Sequence, residues 1–182
     1  MIKTCSAIVF CLILTGISSS CSNNKNSKDP ASGRNMIHQQ DDGSYFLKLE
    51  DAACYVDQTD PSGNTAEWKF EVPGPGRYKV WLSSATIDTL NLRYSNPVKV
   101  NLLDNQLIKS PECDRIIRNS DDVNHPYYRT DSYMGSFYFP EPGEYNIQVI
   151  SEKVTKINKT SQNNTIEENT KLVSLILTPA NR

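Results

Sequence analysis

One stretch of this chain concentrates side chains suited to a ring-shaped, hydroxyl-rich ligand: Asn124-His125-Pro126-Tyr127-Tyr128-Arg129-Thr130-Asp131. Sugars offer an apolar C–H face that stacks on aromatic rings, which Tyr127 and Tyr128 could supply. Their hydroxyls pair with planar donors and acceptors such as those of Asn124, His125, Arg129 and Asp131. Pro126 stiffens the approach, so less entropy is lost when a ring is held for a ligand. Trp81 is a second candidate. In Tyr78-Lys79-Val80-Trp81-Leu82 the inward parity is set by Tyr78, Val80 and Leu82, which turns Trp81 to the opposite face. Both groups also have a plainer use, since a tyrosine can plug the end of a fold and an outward tryptophan can lie under a crossing loop.

Catalytic chemistry finds fewer handles. The chain has only two histidines, His38 and His125, and no GxSxG, HExxH or Walker phrase. Glu112, Asp114, Asp121, Asp122 and Asp131 could furnish the carboxylate pair of a glycosidase, yet acids in a polar connection ordinarily serve hydration. No catalytic residue is therefore assigned. The absence of CxxC or Cys/His spacing gives no zinc or redox site. A formal net charge of −2 without a basic stripe argues against a nucleic-acid partner.

What must position these residues is a phrase that occurs twice. Phe70-Glu71-Val72-Pro73-Gly74-Pro75-Gly76-Arg77-Tyr78-Lys79-Val80 returns as Phe137-Tyr138-Phe139-Pro140-Glu141-Pro142-Gly143-Glu144-Tyr145-Asn146-Ile147. Each copy reads as an alternating strand, a Pro-x-Pro-Gly corner and a second alternating strand. Prolines fix φ and remove backbone donors, while Gly76 and Gly143 tolerate positive φ. Such corners do not fit inside a central strand. Tyr78 and Tyr145 hold equivalent places and are assigned to packing, and Trp68 shares inward parity with Phe70 and Val72. Similar alternation over residues 45–49 and 98–102 predicts further strands. Residues 172–177 are almost wholly apolar and predict a central strand. No segment shows a capped helical period. About eight strands with Pro- and Gly-rich corners predict one all-β domain over residues 35–182, a jelly-roll or Greek-key β-sandwich. Two long polar connections interrupt it. Residues 109–131 carry aromatics and are read as functional; residues 156–170 carry none and are read as an excursion.

Residues 1–20 read as a signal peptide, with the basic start Met1-Ile2-Lys3, an apolar run over 7–17 and small residues leading to Cys21. The run is shorter than the roughly 20 apolar residues a membrane span needs. It resembles a bacterial lipoprotein signal of the looser kind found in Bacteroides-like bacteria, with Ser18 where Leu, Val or Ala is usual. That resemblance implies acylation of Cys21; the alternative is an ordinary secretory peptide cut near Ser20. Residues 21–34 are polar and aperiodic, a flexible tether. The expected location is the cell envelope, as an outer-membrane lipoprotein touching the membrane only through its lipid, with the periplasmic and surface faces both open. Cys54 and Cys113 then share an oxidising compartment. They either form a disulfide, worth about 4 kcal/mol by loop closure, or remain thiols.

Several segments together carry a wider likeness. Leu47-Lys48-Leu49-Glu50-Asp51-Ala52 looks like an opening strand, and Trp68-Lys69-Phe70-Glu71-Val72 with Tyr78-Lys79-Val80-Trp81-Leu82 looks like a central hairpin. Pro97-Val98-Lys99-Val100-Asn101-Leu102-Leu103-Asp104-Asn105 and the closing Leu172-Val173-Ser174-Leu175-Ile176-Leu177 complete the order. The domain resembles the galactose-binding-like jelly rolls, particularly their non-catalytic carbohydrate-binding modules. Many of these hold a structural calcium between alternating acids of the first strand and an acid near the last. Here Lys48 takes the first acidic place and Val173-Ser174 offers no carboxylate, so Glu50 and Asp51 fall short of six to eight oxygen ligands. No calcium is expected there, and no cofactor. The resemblance implies a poly- or oligosaccharide partner and a role accessory to glycan capture or degradation. Two rivals stay open: an envelope protein–protein interaction module that binds no sugar, and a small carbohydrate-active enzyme.

Overall fold

The computed structural model describes residues 36–155 and 169–180. The signal peptide, Cys21, the tether and residues 156–168 of the second long connection lie outside the described residues. Strands run in the order β1 (Tyr45–Lys48), β2 (Ala53–Tyr55), β3 (Thr65–Val72), β4 (Gly76–Thr86), β5 (Val98–Leu102) and β6 (Asn105–Lys109). They continue as β7 (Arg115–Ile117), β8 (Tyr128–Phe139), β9 (Gly143–Ile150) and β10 (Thr170–Pro179). Helical structure among the described residues is confined to 3-10 turns at Leu49–Asp51 and Pro61–Gly63. The first sheet has the order β1-β10-β4-β8-β7 and the second β2-β3-β9-β5-β6, all pairings antiparallel. The protein is an all-β sandwich.

The doubled phrase builds its frame, though not as hairpins. Strands β3 and β4 lie in different sheets, as do β8 and β9, because the prolines of each corner withhold the donors a hairpin ladder needs and turn the chain from one sheet to the other. The two corners then pair with each other. Gly76 lies opposite Phe139 and Tyr78 opposite Phe137 in one sheet; Val72 lies opposite Gly143 and Phe70 opposite Tyr145 in the other. Of the two corner glycines, Gly143 takes a positive φ of +147° and Gly76 does not. At Gly76 the constraint is space, since a Cβ would stand 3.3 Å from the Tyr78 ring.

Alternation places the core as expected. Trp68 is buried, its Nε1 donating to the Lys48 carbonyl at 2.7 Å. Tyr78 and Tyr145 are buried, and the Tyr145 hydroxyl donates to the Glu141 carbonyl at 2.7 Å. Strand β10 lies between β1 and β4, and its outward-facing Ile176 is buried as well. Of the two alternatives left open for the cysteines, the structure has the thiols: Cys54 and Cys113 are not joined to each other. Cys54 sits on β2, at one edge of the second sheet. Cys113 precedes β7, at the edge of the first sheet that faces β6, where Lys109 donates to the Tyr133 carbonyl. These are opposite edges of the sandwich, whereas a bridge needs Cα atoms within about 7 Å.

The ladder between β4 and β8 is interrupted once. Val80 pairs with Gly135 while Trp81 pairs with Tyr133, so β8 carries Met134 as an extra, bulged residue that enters the core. Gly135 has φ +142°, and a Cβ there would stand 2.9 Å from Leu107 Cδ2. Gly135→Ala is expected to cost about 1–3 kcal/mol, measured as a shift in urea unfolding. Gly143→Ala, with a similar φ but no atom within 4 Å of its added Cβ, should cost less.

Candidate functional site

At the end of the sandwich away from the corners, residues 118–127 leave β7 and return to β8 across the outer face of the first sheet. Asn119, with φ +58°, starts the return, a conformation that asparagine tolerates better than most residues. The register brings Ser83 opposite Asp131 and Ala85 opposite Arg129 on this face. Arg129 and Asp131, expected in the loop, thus belong to β8, and they are 8% and 4% exposed. Arg129 Nε donates to Ser83 Oγ at 2.9 Å and to Asp131 Oδ1 at 3.3 Å. Its Nη1 reaches Asp122 Oδ2 in the loop at 2.7 Å. Lys48 of β1 meets the other oxygen, Asp122 Oδ1, at 3.2 Å.

These contacts tie the loop to two strands. A buried guanidinium is tolerated only with its donors satisfied, so the hydrogen-bonding capacity of Arg129 and Asp131 goes into positioning the loop. Burial pushes the Asp122 carboxyl upward, but the hydrogen bond and charge of Lys48, the Arg129 guanidinium and the Ser120 hydroxyl outweigh it and hold it below the usual carboxylate range.

Between this pinned loop and the ends of β1 and β10 opens a cleft of about 540 Å³. Its polar lining includes Lys48, Glu50, Asp121, Asn124, His125, Tyr127 and Lys171. The backbone N–H of Tyr127 donates to the Asn124 carbonyl at 3.0 Å, closing a turn that contains the cis His125–Pro126 bond. Lys171 Nζ stands 4.7 Å from the centroid of the Tyr127 ring. The cleft therefore offers an aromatic ring beside an amide, an imidazole, carboxylates and ammonium groups. Such a set can stack on a ring and hydrogen-bond its hydroxyls.

Of the residues singled out in the sequence, the structure brings Asp121, Asn124, His125 and Tyr127 together. Tyr128 pairs with Thr86, on the parity opposite to Ala85 and Arg129, and is half exposed away from the cleft. Trp81 lies further along the same outer face, with the Tyr133 ring tilted against it and the Arg115 guanidinium over its ring. Sequence reasoning placed Asp121 in this loop, though only as a candidate glycosidase carboxylate, and did not place Lys48, Glu50 or Lys171 with it. The parity of β1 points Lys48 outward, and Lys171 is a charge just before an apolar run; neither signal says which loop will fold over it.

Because the native value of Asp122 is lowered, the unfolded chain takes up its proton first. The stability that Asp122 contributes is complete above the ordinary carboxylate range and is lost as pH falls below about 4 through the native value. Asp122→Asn is expected to cost about 1–3 kcal/mol at neutral pH. Urea unfolding repeated at about pH 2–3 should show that difference shrinking.

No protein family matches the chain, and no curated protein matches it. Solved structures do. The α-L-fucosidase from Vibrio sp. strain EJY3 superposes with a TM-score of 0.59 at 19% identity, over 79% of this chain and 24% of the fucosidase. The Podospora anserina GH26-CBM35 β-(1,4)-mannanase aligns at 0.44 and 12% identity, over 78% of this chain and 28% of that one. The mosquito-larvicidal Cry4Aa toxin from Bacillus thuringiensis aligns at 0.46 and 8%, over 82% and 25%. Scores under 0.5 carry no weight for this chain. The likeness to the fucosidase shows a shared β-sandwich fold, and the chain spans about a quarter of that enzyme's length.

Proposed function

We propose that this chain is an exported lipoprotein whose galactose-binding-like sandwich is a non-catalytic glycan-binding module, accessory to glycan capture or degradation. The observation that carries the reading is the cleft, where the Tyr127 ring stands beside Asn124, His125, Glu50 and Lys171. The ring supplies a stacking face and the planar groups supply partners for hydroxyls, so the partner is a poly- or oligosaccharide. Tying the loop through Asp122 to Lys48 and Arg129 holds the site in shape before binding, which lowers the ordering cost. The shared fold with a segment of a fucosidase supports this as analogy, not as chemistry. The apolar run, Cys21 and the polar stretch to residue 34 support export and a lipid anchor in the outer membrane, with either face open.

A glycan array followed by calorimetry tests the site. Tyr127→Ala should weaken the selected glycan roughly tenfold, the loss of about one stacking contact, and Tyr128→Ala should leave it nearly unchanged. Binding indifferent to Tyr127→Ala would remove the cleft from the reading. A blank array with one stoichiometric envelope partner would replace it with a protein-docking module, and reducing-sugar release from polysaccharide would make it an enzyme. For the anchor, Cys21→Ser should move the protein from the membrane fraction to the soluble one.

A further inference from the structure

The outer face of the first sheet carries a second constellation, lying from the middle of the sheet toward the corners and apart from the cleft. Outward residues along β4 are Arg77, Lys79 and Trp81, and strand geometry separates the first from the last by about 14 Å. Across the ladder on β8, Arg77 faces Tyr138, Lys79 faces Ser136 and Trp81 faces Tyr133. Trp81 is held by a hydrogen bond from Nε1 to Thr178 Oγ1 at 3.3 Å and by the Tyr133 ring at 5.0 Å. The Arg115 guanidinium lies 3.3 Å from the centroid of the Trp81 ring. Arg77 repeats the motif more loosely, 5.8 Å from the Tyr138 ring and donating to Ser136 Oγ at 3.3 Å.

Arg77, Lys79 and Arg115 are exposed. Among the described residues none of the three forms an ion pair, although five lysine or arginine pairs occur elsewhere. The chain as a whole carries a formal charge of −2, so attraction for an anion here is local and not a bulk effect. An arginine stacked on an aromatic ring is pre-organised and weakly hydrated, with its N–H edges turned outward for a carboxylate or sulfate. Two such arginines with a lysine between them match charges repeated along a chain better than a single charged group. The ring faces and edges of Tyr133 and Tyr138 beside them suit sugar.

We infer that this face binds an acidic glycan, whose carboxylate or sulfate groups are taken by Arg115, Lys79 and Arg77. The surface adjoins the network beneath the cleft, since Arg115 lies across the ladder from Asp131. It shares no lining residue with the cleft, however, and Asp131 is already taken by Arg129 and Ser83. The full chain, kept in detergent, is titrated with polygalacturonate, dextran sulfate and neutral galactomannan while tryptophan emission is followed. Trp68 is buried, so a shift reports Trp81. At least one acidic polymer is expected to bind and shift the emission, and the polymer that binds identifies the charged group. Arg115→Ala should weaken it roughly tenfold, and Arg115→Lys should restore only part of that loss because the planar fork is gone. The pair Arg77→Ala with Lys79→Ala should weaken it similarly. Removing the same charge from the other sheet, Lys69→Ala with Lys99→Ala, should change it less than about twofold, and Tyr127→Ala should leave it intact. The inference is overturned if neither acidic polymer binds. It is overturned as well if the Lys69 and Lys99 pair costs as much as the Arg77 and Lys79 pair, or if phosphatidylglycerol vesicles bind this face and both polymers fail. Loss of neutral-glycan binding in Tyr127→Ala with acidic binding unchanged separates this surface from the cleft.

Discussion

Everything in this sandwich hangs on the pairing of its two proline corners. Each corner carries the chain from one sheet to the other, and each is hydrogen-bonded to its counterpart on both sides. The equivalence is positional. Gly76 against Phe139 in the first sheet matches Gly143 against Val72 in the second, and Tyr78 against Phe137 matches Tyr145 against Phe70. The doubled phrase is thus a local pseudo-two-fold in its pairing, with aromatic rings packed beside it. Phe139 meets Phe70, Tyr78 and Tyr145 edge-on at 5.7, 5.3 and 4.8 Å. Edge-to-face rings contribute about 0.5–1.5 kcal/mol per pair beyond burial. The Tyr145 hydroxyl donates to the Glu141 carbonyl, that of the neighbouring Tyr45 donates to the Glu71 carbonyl, and the Tyr78 hydroxyl accepts from Gln39 Nε2 at 3.0 Å.

A frame closed this firmly at one end leaves its variable chemistry at the other. There the strands end in connections that hydrogen bonds within the sheets do not organise, and side chains take over. Arg129 does most of this. Sequestering a guanidinium under a loop is costly unless its donors are met, and the net gain in stability from a buried pair is small. What it secures is geometry. With Ser83 and Asp131 holding one side of the guanidinium and Asp122 the other, the loop has one place to rest.

Sequence patterning showed the frame well and the site in part. Period-two alternation reveals which way Tyr78, Val80 and Trp68 point, because one face of each strand must be apolar. It does not reveal which sheet a strand joins, and so the first copy resembled a central hairpin although β3 and β4 lie in different sheets. Arg129 and Asp131 looked like loop ligands because a strand lined by polar groups on its outer face has no apolar signature. The same blindness hid β7, three residues long, and the bulge at Met134, which only the pairing with Val80 and Trp81 exposes. His125, Asn124 and Tyr127 were found because their neighbours are unsuited to strands, which isolates a loop with chemistry in it.

The cleft and the core are not independent. Trp68, in the second sheet, donates from Nε1 to the carbonyl of Lys48 in the first. The Lys48 side chain holds Asp122, and Asp122 holds Arg129, whose other donors return to Ser83 and Asp131 in the middle of the first sheet. This relay starts in the largest buried side chain of the domain and ends beneath the loop that forms the cleft. Its middle members are charged, so each step has a directional partner and a one-residue slip of β1 would carry Lys48 to the other face and break the chain. The register of β1 is in this way tied to the position of the loop. A ligand that orders the loop should therefore also hold the end of β1, since both are gripped by the same carboxylate.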